Sequence, residues 1–351
     1  MDLDAITAYL RNCTARIKIM EVCGTHTSAI MRNGIRALMP EGIKLVSGPG
    51  CPVCVTPPHF IDELAELSLE GGAEALSFGD MFRVPGVHTS LTQAKARGAK
   101  IRLMYSPFEA VALAKAHPGR RFVVAAVGFE TTAPVYAALI ETLIAEGIEN
   151  VMLFTALKTM PEALGHICQT EDADAFLCPG HVSAVIGSGA YAPLCEKYQK
   201  PFVIAGFEAA HILAAIYAIA RQKELRECEV VNLYPSAVSA GGQAAALALT
   251  DKYFEKTDAL WRGIGEIKNS GLRIRSKYSQ FSANGFGDFR PQPETKAAAD
   301  GCRCADVVLG RAPPSECPLF GKDCTPQNPA GACMASQEGA CGVYFNYGVM
   351  P

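Results

Sequence analysis

The sequence lacks a dominant charge, a polybasic block and an uninterrupted apolar run long enough to cross a bilayer. Its 32 Lys and Arg residues face 35 Asp and Glu residues, giving a formal net charge of -3 and a pI near 6.2. That balance leaves no electrostatic footprint for nucleic acid or an anionic membrane surface. The most apolar stretch, FVIAGFEAAHILAAIYAIA over 202–220, is interrupted by Glu208 and His211 and reads as a strand turning into a helix. The N-terminal MDLDAITAYLRNCTARIK carries acids where a secretory leader carries positive charge, and it reads as an amphipathic helix. These absences lead to the expectation of a cytoplasmic protein whose partners are small molecules or other proteins, with no nucleic acid and no membrane.

What is present is core-forming material and sulfur. A chain of 351 residues, 49% hydrophobic and 19% charged, suggests two or three domains at roughly 100–200 residues each. Fourteen cysteines in a reducing compartment point away from a disulfide framework and towards metal binding or catalysis. Eight of them, from Cys13 to Cys228, are spread out; Cys302, Cys304, Cys317, Cys324, Cys333 and Cys341 fall within the last fifty residues.

Between residue 16 and about 235, apolar runs alternate with helical patterns. RIKIME (16–21), IKLVS (43–47), ALSF (75–78), KIRLMYS (100–106), RFVVAAV (121–127), VMLFTA (151–156), AFLC (175–178) and PFVIA (201–205) are candidate strands. Segments such as HFIDELAELSLEGG and APVYAALIETLIAEG space their apolar residues as helices do. The alternation predicts an α/β fold with mostly parallel sheets. An echo between AAVGFETTAPVYAALI (125–140) and VIAGFEAAHILAAIYA (203–218) is compatible with duplication or with chance likeness of two alanine-rich turns. The expected division is residues 1–118, 119–235 and 236–351, the last ending in the cysteine cluster. From Arg275 the polar RSKYSQFSANGFGDFRPQPE marks a change of character.

Open parallel sheets gather ligands at the carboxyl ends of their strands. EVCGTHT, GPGCPVC, GFETT and CPGHVS follow four of the candidate strands, so one sheet edge is expected to hold all four turns. Cys23 precedes a helix, where the dipole lowers a thiol's pKa and where Thr25 or Thr27 can cap free N–H groups. His26 offers an imidazole ligand or proton donor. Taken alone, the Cys-Gly-Thr-His string favours a buried thiol with a threonine cap over a reactive centre. In GPGCPVCVTPP the prolines stiffen a loop that holds Cys51 and Cys54 ahead of the next helix and within disulfide range, which favours a reversible dithiol and leaves a zinc half-site open. Glu130, with Thr131 and Thr132, suits the chemistry of a helix start, and His181 is as consistent with a satisfied surface imidazole as with a site.

The tail spaces its cysteines by six residues between Cys317 and Cys324, eight to Cys333 and seven to Cys341, with a Cys-x-Cys at 302–304. Paired zinc knuckles do not fit those gaps, and iron–sulfur ligation is the preferred reading over Cys₄ zinc.

Taken together, EVCGTHT, GPGCPVCVTP, GFETTAP, PGHVS and CPLFGKDCTPQNPAGACMASQEGAC resemble the HypD family, iron–sulfur maturation proteins that help build the Fe(CN)₂CO unit of [NiFe] hydrogenases. The resemblance runs from about residue 16 to 347. It implies two similar parallel-sheet α/β domains plus a small cysteine-rich iron–sulfur domain, and a scaffold more than a conventional enzyme. It also implies a complex with the chaperone HypC, which HypE joins to deliver cyanide. By the same resemblance Cys23 holds a transient Fe(II) carrying CN and CO ligands, with His26, Thr25 and Thr27 able to orient those ligands. Cys51 and Cys54 form a redox pair; Cys302, Cys317, Cys324 and Cys341 bind a [4Fe–4S] cluster; and Cys304 and Cys333 form a second dithiol in a relay. Glu130, Thr131 and His181 are supporting residues. A stand-alone thiol–disulfide oxidoreductase and a zinc-stabilised binding protein are the alternative readings.

Overall fold

The computed structural model describes residues 2–170, 173–283 and 299–348; the polar stretch begun at Arg275 lies outside the described residues from 284 to 298. Strands β1 (Ile17–Glu21), β2 (Ile43–Ser47), β3 (Glu74–Ser77), β4 (Ile101–Leu103), β5 (Phe122–Gly128), β6 (Val151–Leu157), β7 (Ala175–Cys178) and β8 (Phe202–Ile204) occupy the eight runs expected. All seven residues of β5 are buried, as a continuous Val/Ala run covered on both faces should be. A short β9 (Val230–Asn232) and an antiparallel pair, β10 (Phe254–Trp261) and β11 (Gly265–Ile274), were not anticipated.

Two parallel sheets form, with strand orders β2-β1-β7-β8-β9 and β4-β3-β5-β6. The expected cut at 118/119 does not follow them. It would split the second sheet, in which β3 bonds to both β4 and β5. The chain instead starts the first sheet, leaves after β2 to build the whole second sheet, then returns through β7, which pairs with β1. The two Gly-Phe-Glu turns therefore fall one on each sheet, after β5 and after β8. The region expected to begin at 236 also joins the body: Thr159 N–H donates to Ser270 O of β11 at 2.8 Å, and Phe254 and Leu272 enter the core over β5 and β6.

Local chemistry fixes the connecting elements. Asp2 caps the first helix (Leu3–Asn12) by accepting from Asp4 and Ala5 N–H. The helix Pro58–Leu69 opens on a proline, tolerated there because its missing N–H would have no partner anyway. From this helix the buried carboxylate of Asp62 reaches the next crossover, accepting from the N–H groups of Val87, His88 and Thr89. That loop matters beyond itself, because Pro85 O anchors the Arg262 guanidinium of the β10–β11 turn at 2.7 Å.

Replacing Asp62 with Ala strips the acceptor from three N–H groups at once. The expected loss is about 3 kcal/mol of stability, seen as a lower urea midpoint with an unchanged slope. An unaltered midpoint would mean the loop is held by other contacts.

Candidate thiol and metal centre

Three of the four glycine-bearing turns leave the carboxyl edge of the first sheet: EVCGTHT after β1, GPGCPVC after β2 and CPGHVS after β7. GFETT leaves β5, in the second sheet, so the expectation of four turns on one edge is corrected. The fourth turn on the first sheet's edge is Gly206-Phe207-Glu208, after β8.

Cys23 is the cap residue of the helix Gly24–Arg32, in extended backbone, and only 8% exposed. Burial, with the Glu338 charge adding to it, pushes its thiol pKa up, against the N–H groups of His26 and Thr25, which favour the thiolate. The expected lowering by the helix dipole is thus reversed: in a dry site desolvation of the charged form outweighs a partial charge. The threonines do not cap either. Thr27 Oγ1 donates back to Cys23 O at 3.3 Å, and Thr25 Oγ1 donates to Glu338 Oε1 at 3.3 Å.

His26 is completely buried. Its Nε2 lies 3.2 Å from Gly206 O; a carbonyl only accepts, so Nε2 carries the proton and Nδ1 is left as a free lone pair without a partner. Burial lowers its pKa to about 4, which makes it a neutral imidazole at physiological pH. Phe207 lies between His26 and the exposed ring of His181, with centroids 4.8 and 4.3 Å away. The three donors expected to face a ligand at Cys23 are thus already engaged within the protein.

GPGCPVC is pressed onto Cys23. A Cβ on Gly50 would sit 2.3 Å from Cys23 N, so only a bare Cα allows this approach. Cys51 and Cys54 are not in a loop, as expected, but begin a one-turn helix (Pro52–Val55) with Cys51 as its cap. Their sulfurs are 2.6 Å apart, and Cys51 Sγ accepts the Cys54 N–H at 3.3 Å. Each is at most 5% exposed. At Cys54 burial opposes ionisation, but hydrogen bonds from Cys333 and Cys51 and the Arg262 charge win and lower its pKa; burial and the Cys54 thiolate hold Cys51 protonated. Arg262 also clamps this turn, donating from Nε to Thr56 O at 2.8 Å and from its backbone to Val55 O at 2.9 Å.

The tail closes over the pair. Cys51 Sγ lies 3.5 Å from Ser336 Oγ, which in turn donates to Asp80 Oδ2 at 3.0 Å. Cys304 and Cys333 sulfurs are 3.1 Å apart, and Cys333 interacts with both Cys54 and Cys341. The two sulfur pairs lie side by side: Cys54 Sγ is 4.0 Å from Ala332 O, the carbonyl just before Cys333, and Cys54 and Cys333 influence each other's ionisation. Cys302 feels the charges of Cys304, Cys317 and Cys324, and Cys324 those of Cys341 and Cys317. Burial pushes Cys302 up to about 12. Cys324 Sγ accepts the Ala330 N–H at 3.3 Å, and a Cβ on Gly331 would stand 3.0 Å from Cys302 Sγ. No group of three His, Cys, Asp or Glu side chains is arranged for a single metal ion among the described residues. A four-iron cube makes a different demand, since its four thiolates sit around the cube and not around one point.

Glu130 does serve a helix start, but of another helix: its Oε1 accepts Met160 N–H at 2.8 Å, opening Met160–Gln169. Thr131 and Thr132 sit half-buried in the same turn, with Thr132 Oγ1 donating to Phe129 O at 3.1 Å.

Sequence reasoning missed Asp80, Arg262, Ser336 and Glu338. Ser336 and Glu338 lie within the tail motif, between Cys333 and Cys341, where they read as ordinary polar residues, and only Arg262 had a signal: the glycine-bearing turn Arg262-Gly-Ile-Gly265 reads as a hairpin.

The family profile named HypD, described as "Hydrogenase formation hypA family", matches residues 3–348. The chain is 42% identical over 340 residues to hydrogenase maturation factor HypD of Azotobacter vinelandii, covering 94% of this chain and 89% of that protein. It is 40% identical over 334 residues to the factor of the same name in Escherichia coli, again covering 94% and 89%. To that of Cupriavidus necator it is 40% identical over 345 residues, covering 95% and 90%.

Oxidising the Cys51–Cys54 pair releases the Cys51 proton, for which Ser336 and Asp80 form a path to a half-buried carboxylate. Ser336→Ala and Asp80→Asn should each slow diamide oxidation of the pair by about tenfold or more, measured by timed alkylation and mass spectrometry. The double variant should be no slower than either. Wild-type rates in both single variants would remove this path.

Proposed function

The chain belongs to the HypD family of hydrogenase formation proteins, and from that premise we propose that it is the scaffold on which the Fe(CN)₂CO unit of a [NiFe] hydrogenase is assembled. The observation that carries this reading is the packing of the CPVC helix against both Cys23 and the tail, which sets the Cys51–Cys54 pair beside the Cys304–Cys333 pair. Its working partners are other maturation proteins: HypC, sharing the iron, and HypE, bringing the cyanide precursor. Among the described residues no helix is long and apolar enough to cross a membrane, and assembly in the cytoplasm is part of the proposal.

The iron is cargo. Cys23 is the ligand proposed for it, since a thiolate is the soft, electron-releasing donor that ferrous iron bearing CN and CO prefers. The thiol is held protonated by burial, so metal binding must displace its proton. The Thr25 and His26 N–H groups make no hydrogen bond to the thiol but lie close enough to favour the thiolate once the proton leaves. A cavity of about 330 Å³ lined by Thr25, Arg83, Ser336 and Glu338 opens beside this turn, giving a route by which a partner's donor group could reach it.

Cyanide release from a thiocyanate-type donor is a two-electron reduction: R–S–C≡N takes two electrons and gives R–S⁻ and CN⁻. A thiol–thiolate pair becoming a disulfide supplies two electrons and releases one proton. Cys51 and Cys54 are that pair, and the neighbouring Cys333 and Cys51 thiols, with the Arg262 charge, outweigh burial and hold Cys54 ready as thiolate. Cys304 and Cys333, whose hydrogen bond lowers Cys304, are placed to restore it by thiol–disulfide exchange through Cys333.

Cys302, Cys317, Cys324 and Cys341 are proposed to hold a [4Fe–4S] cluster. The all-sulfur donor set fits, the Ala330 N–H already serves the Cys324 sulfur, and Gly331 leaves Cys302 room. Such a cluster supplies electrons singly. Their burial among other thiols is unfavourable for four free thiolates, which is the cost that a bound cation offsets. A free-standing thiol–disulfide oxidoreductase fits less well, because Cys51 and Cys54 lie under the tail where a bulky disulfide has no entry.

Infrared spectroscopy of the complex co-purified anaerobically with HypC tests the proposal, since metal-bound CN and CO absorb in an otherwise empty window. Wild-type protein should show those bands. Cys51→Ala should abolish them while leaving iron, acid-labile sulfide and the visible absorption of the purified protein unchanged. Bands of full intensity in Cys51→Ala would discard the dithiol role.

A further inference from the structure

Strand β2 is the outermost strand of the first sheet, with β1 on one side and no described strand on the other. Two bonds fix the phase of its backbone: Ile17 N–H donates to Gly42 O at 2.9 Å, and Gly48 N–H donates to Glu21 O at 2.8 Å. Gly42, Lys44, Val46 and Gly48 therefore turn their backbone polar groups to β1, and Ile43, Leu45 and Ser47 turn theirs outward. Ile43 N–H is taken by Pro40 O at 3.0 Å. Ile43 O, Leu45 N–H, Leu45 O and Ser47 N–H have no partner among the described residues. Such an edge is a template for another chain, and proteins normally cover it or twist it away.

A groove of about 500 Å³ follows this edge. It touches Ile43, Lys44, Leu45 and Val46 in succession; because alternate side chains point to opposite faces, a groove meeting all four runs along the edge and not over one face. Its far wall is Gly310–Pro313 of the tail, where Gly310 lies against Val46. The charge is one-sided. Lys18, Arg36, Lys44 and Arg311 line the groove against a single carboxylate, Glu316, which Arg303 already holds at 3.0 Å. Arg36 is engaged with Glu21. Lys18 and Lys44, in contrast, are register partners across β1 and β2, and neither ammonium has an ion pair among the described residues. Like charges directly opposite each other weaken a sheet. This pair lacks an anion that the described chain does not itself supply.

We propose that β2 takes in an extended acidic segment of a partner protein as an added strand in this groove. The segment's backbone meets Leu45 N–H and O, with Ile43 O and Ser47 N–H on either side, and its carboxylates lie on Lys18 and Lys44. Donors and acceptors alternate along the edge at the spacing of a peptide, which another extended backbone matches and a phosphate or a fatty chain does not. The lysine pair then selects acidic segments over basic ones, since the wrong sign of charge would add to the repulsion already present. The proposal stands independently of iron assembly at Cys23.

Fluorescence anisotropy of a labelled six-residue peptide of alternating glutamate and valine, titrated with the full-length protein, tests this. The controls are the same peptide with lysine in place of glutamate and the acidic peptide with every backbone nitrogen methylated. The acidic peptide should bind and should protect the amides of residues 43–47 from hydrogen exchange. The lysine peptide should not bind, and the methylated one, which keeps its charge but cannot donate, should bind about tenfold more weakly or worse. Lys44 is exposed, and Lys44→Glu should weaken the acidic peptide about tenfold or more while raising the urea midpoint, because it turns a like-charge pair into an opposite one. Lys18→Gln gives a second reading of the same loss. Absence of binding, equal binding of the methylated peptide, no protection of residues 43–47, or unaltered affinity in folded Lys44→Glu would overturn the proposal. A dimer of the unliganded protein that Lys44→Glu dissolves would put a second copy on this edge, and would overturn it too.

Discussion

The contact between a one-turn helix near the front of the chain and a turn close to its end is the constraint on which the rest depends. Cys51 meets Ser336 across 285 residues of sequence, and Cys54 meets Ala332 O, next to Cys333. Loop closure over such a span is entropically expensive, so other contacts must hold it. Gly50 lets the CPVC turn lie on Cys23, while Gly24 lets Glu338 lie on the Cys23 helix, where a Cβ would come within 2.4 Å of Glu338 O. Arg262 secures the turn from the hairpin side. The aromatic contacts of Arg36 with Tyr344 and Arg32 with Tyr347 fasten the last helix to the first sheet's layer.

Closing the site has an electrostatic consequence. Dry surroundings raise Cys23 and Cys51 and lower His26 and Lys158, the last to about 7, while the neighbouring Cys304, Cys341 and Cys54 raise Cys333. Lys158 keeps one carbonyl, Leu260 O at 2.7 Å, and lies over the Trp261 ring. Such groups are poor contributors to stability, which rests instead on the covered parallel sheets. Perturbed ionisation is a mark of reactive sites, and at Cys51, Cys54, Cys304 and Cys333 it depends on the docked position of the tail.

Much of this was legible in the sequence. Strand positions β1 to β8 followed from contiguous apolar runs, which short connections leave little freedom to misplace. Their grouping into sheets was not, because periodicity identifies a strand but not its neighbour; the return of β7 to β1 is a long-range pairing that no local signal carries. GFETT looked equivalent to the other turns for the same reason, and it belongs to the second sheet. The sign of the Cys23 shift was misjudged because a helix start is visible in sequence and burial is not. Cys51 and Cys54 were assigned to a loop since prolines on both sides obscured a helix of four residues. Ser336 and Asp80 are ordinary polar residues until folding sets them in line with Cys51.

The central claim is that the two dithiols are adjacent, so that electrons and disulfide bonds can pass between them. Its most direct measurement uses a variant retaining only the inner sulfur of each pair, Cys51→Ala with Cys304→Ala, exposed to diamide and mapped by mass spectrometry after digestion. The account predicts a Cys54–Cys333 disulfide in nearly every molecule. Recovery of both cysteines as free thiols, under conditions where the wild-type Cys51–Cys54 pair oxidises fully, would contradict it.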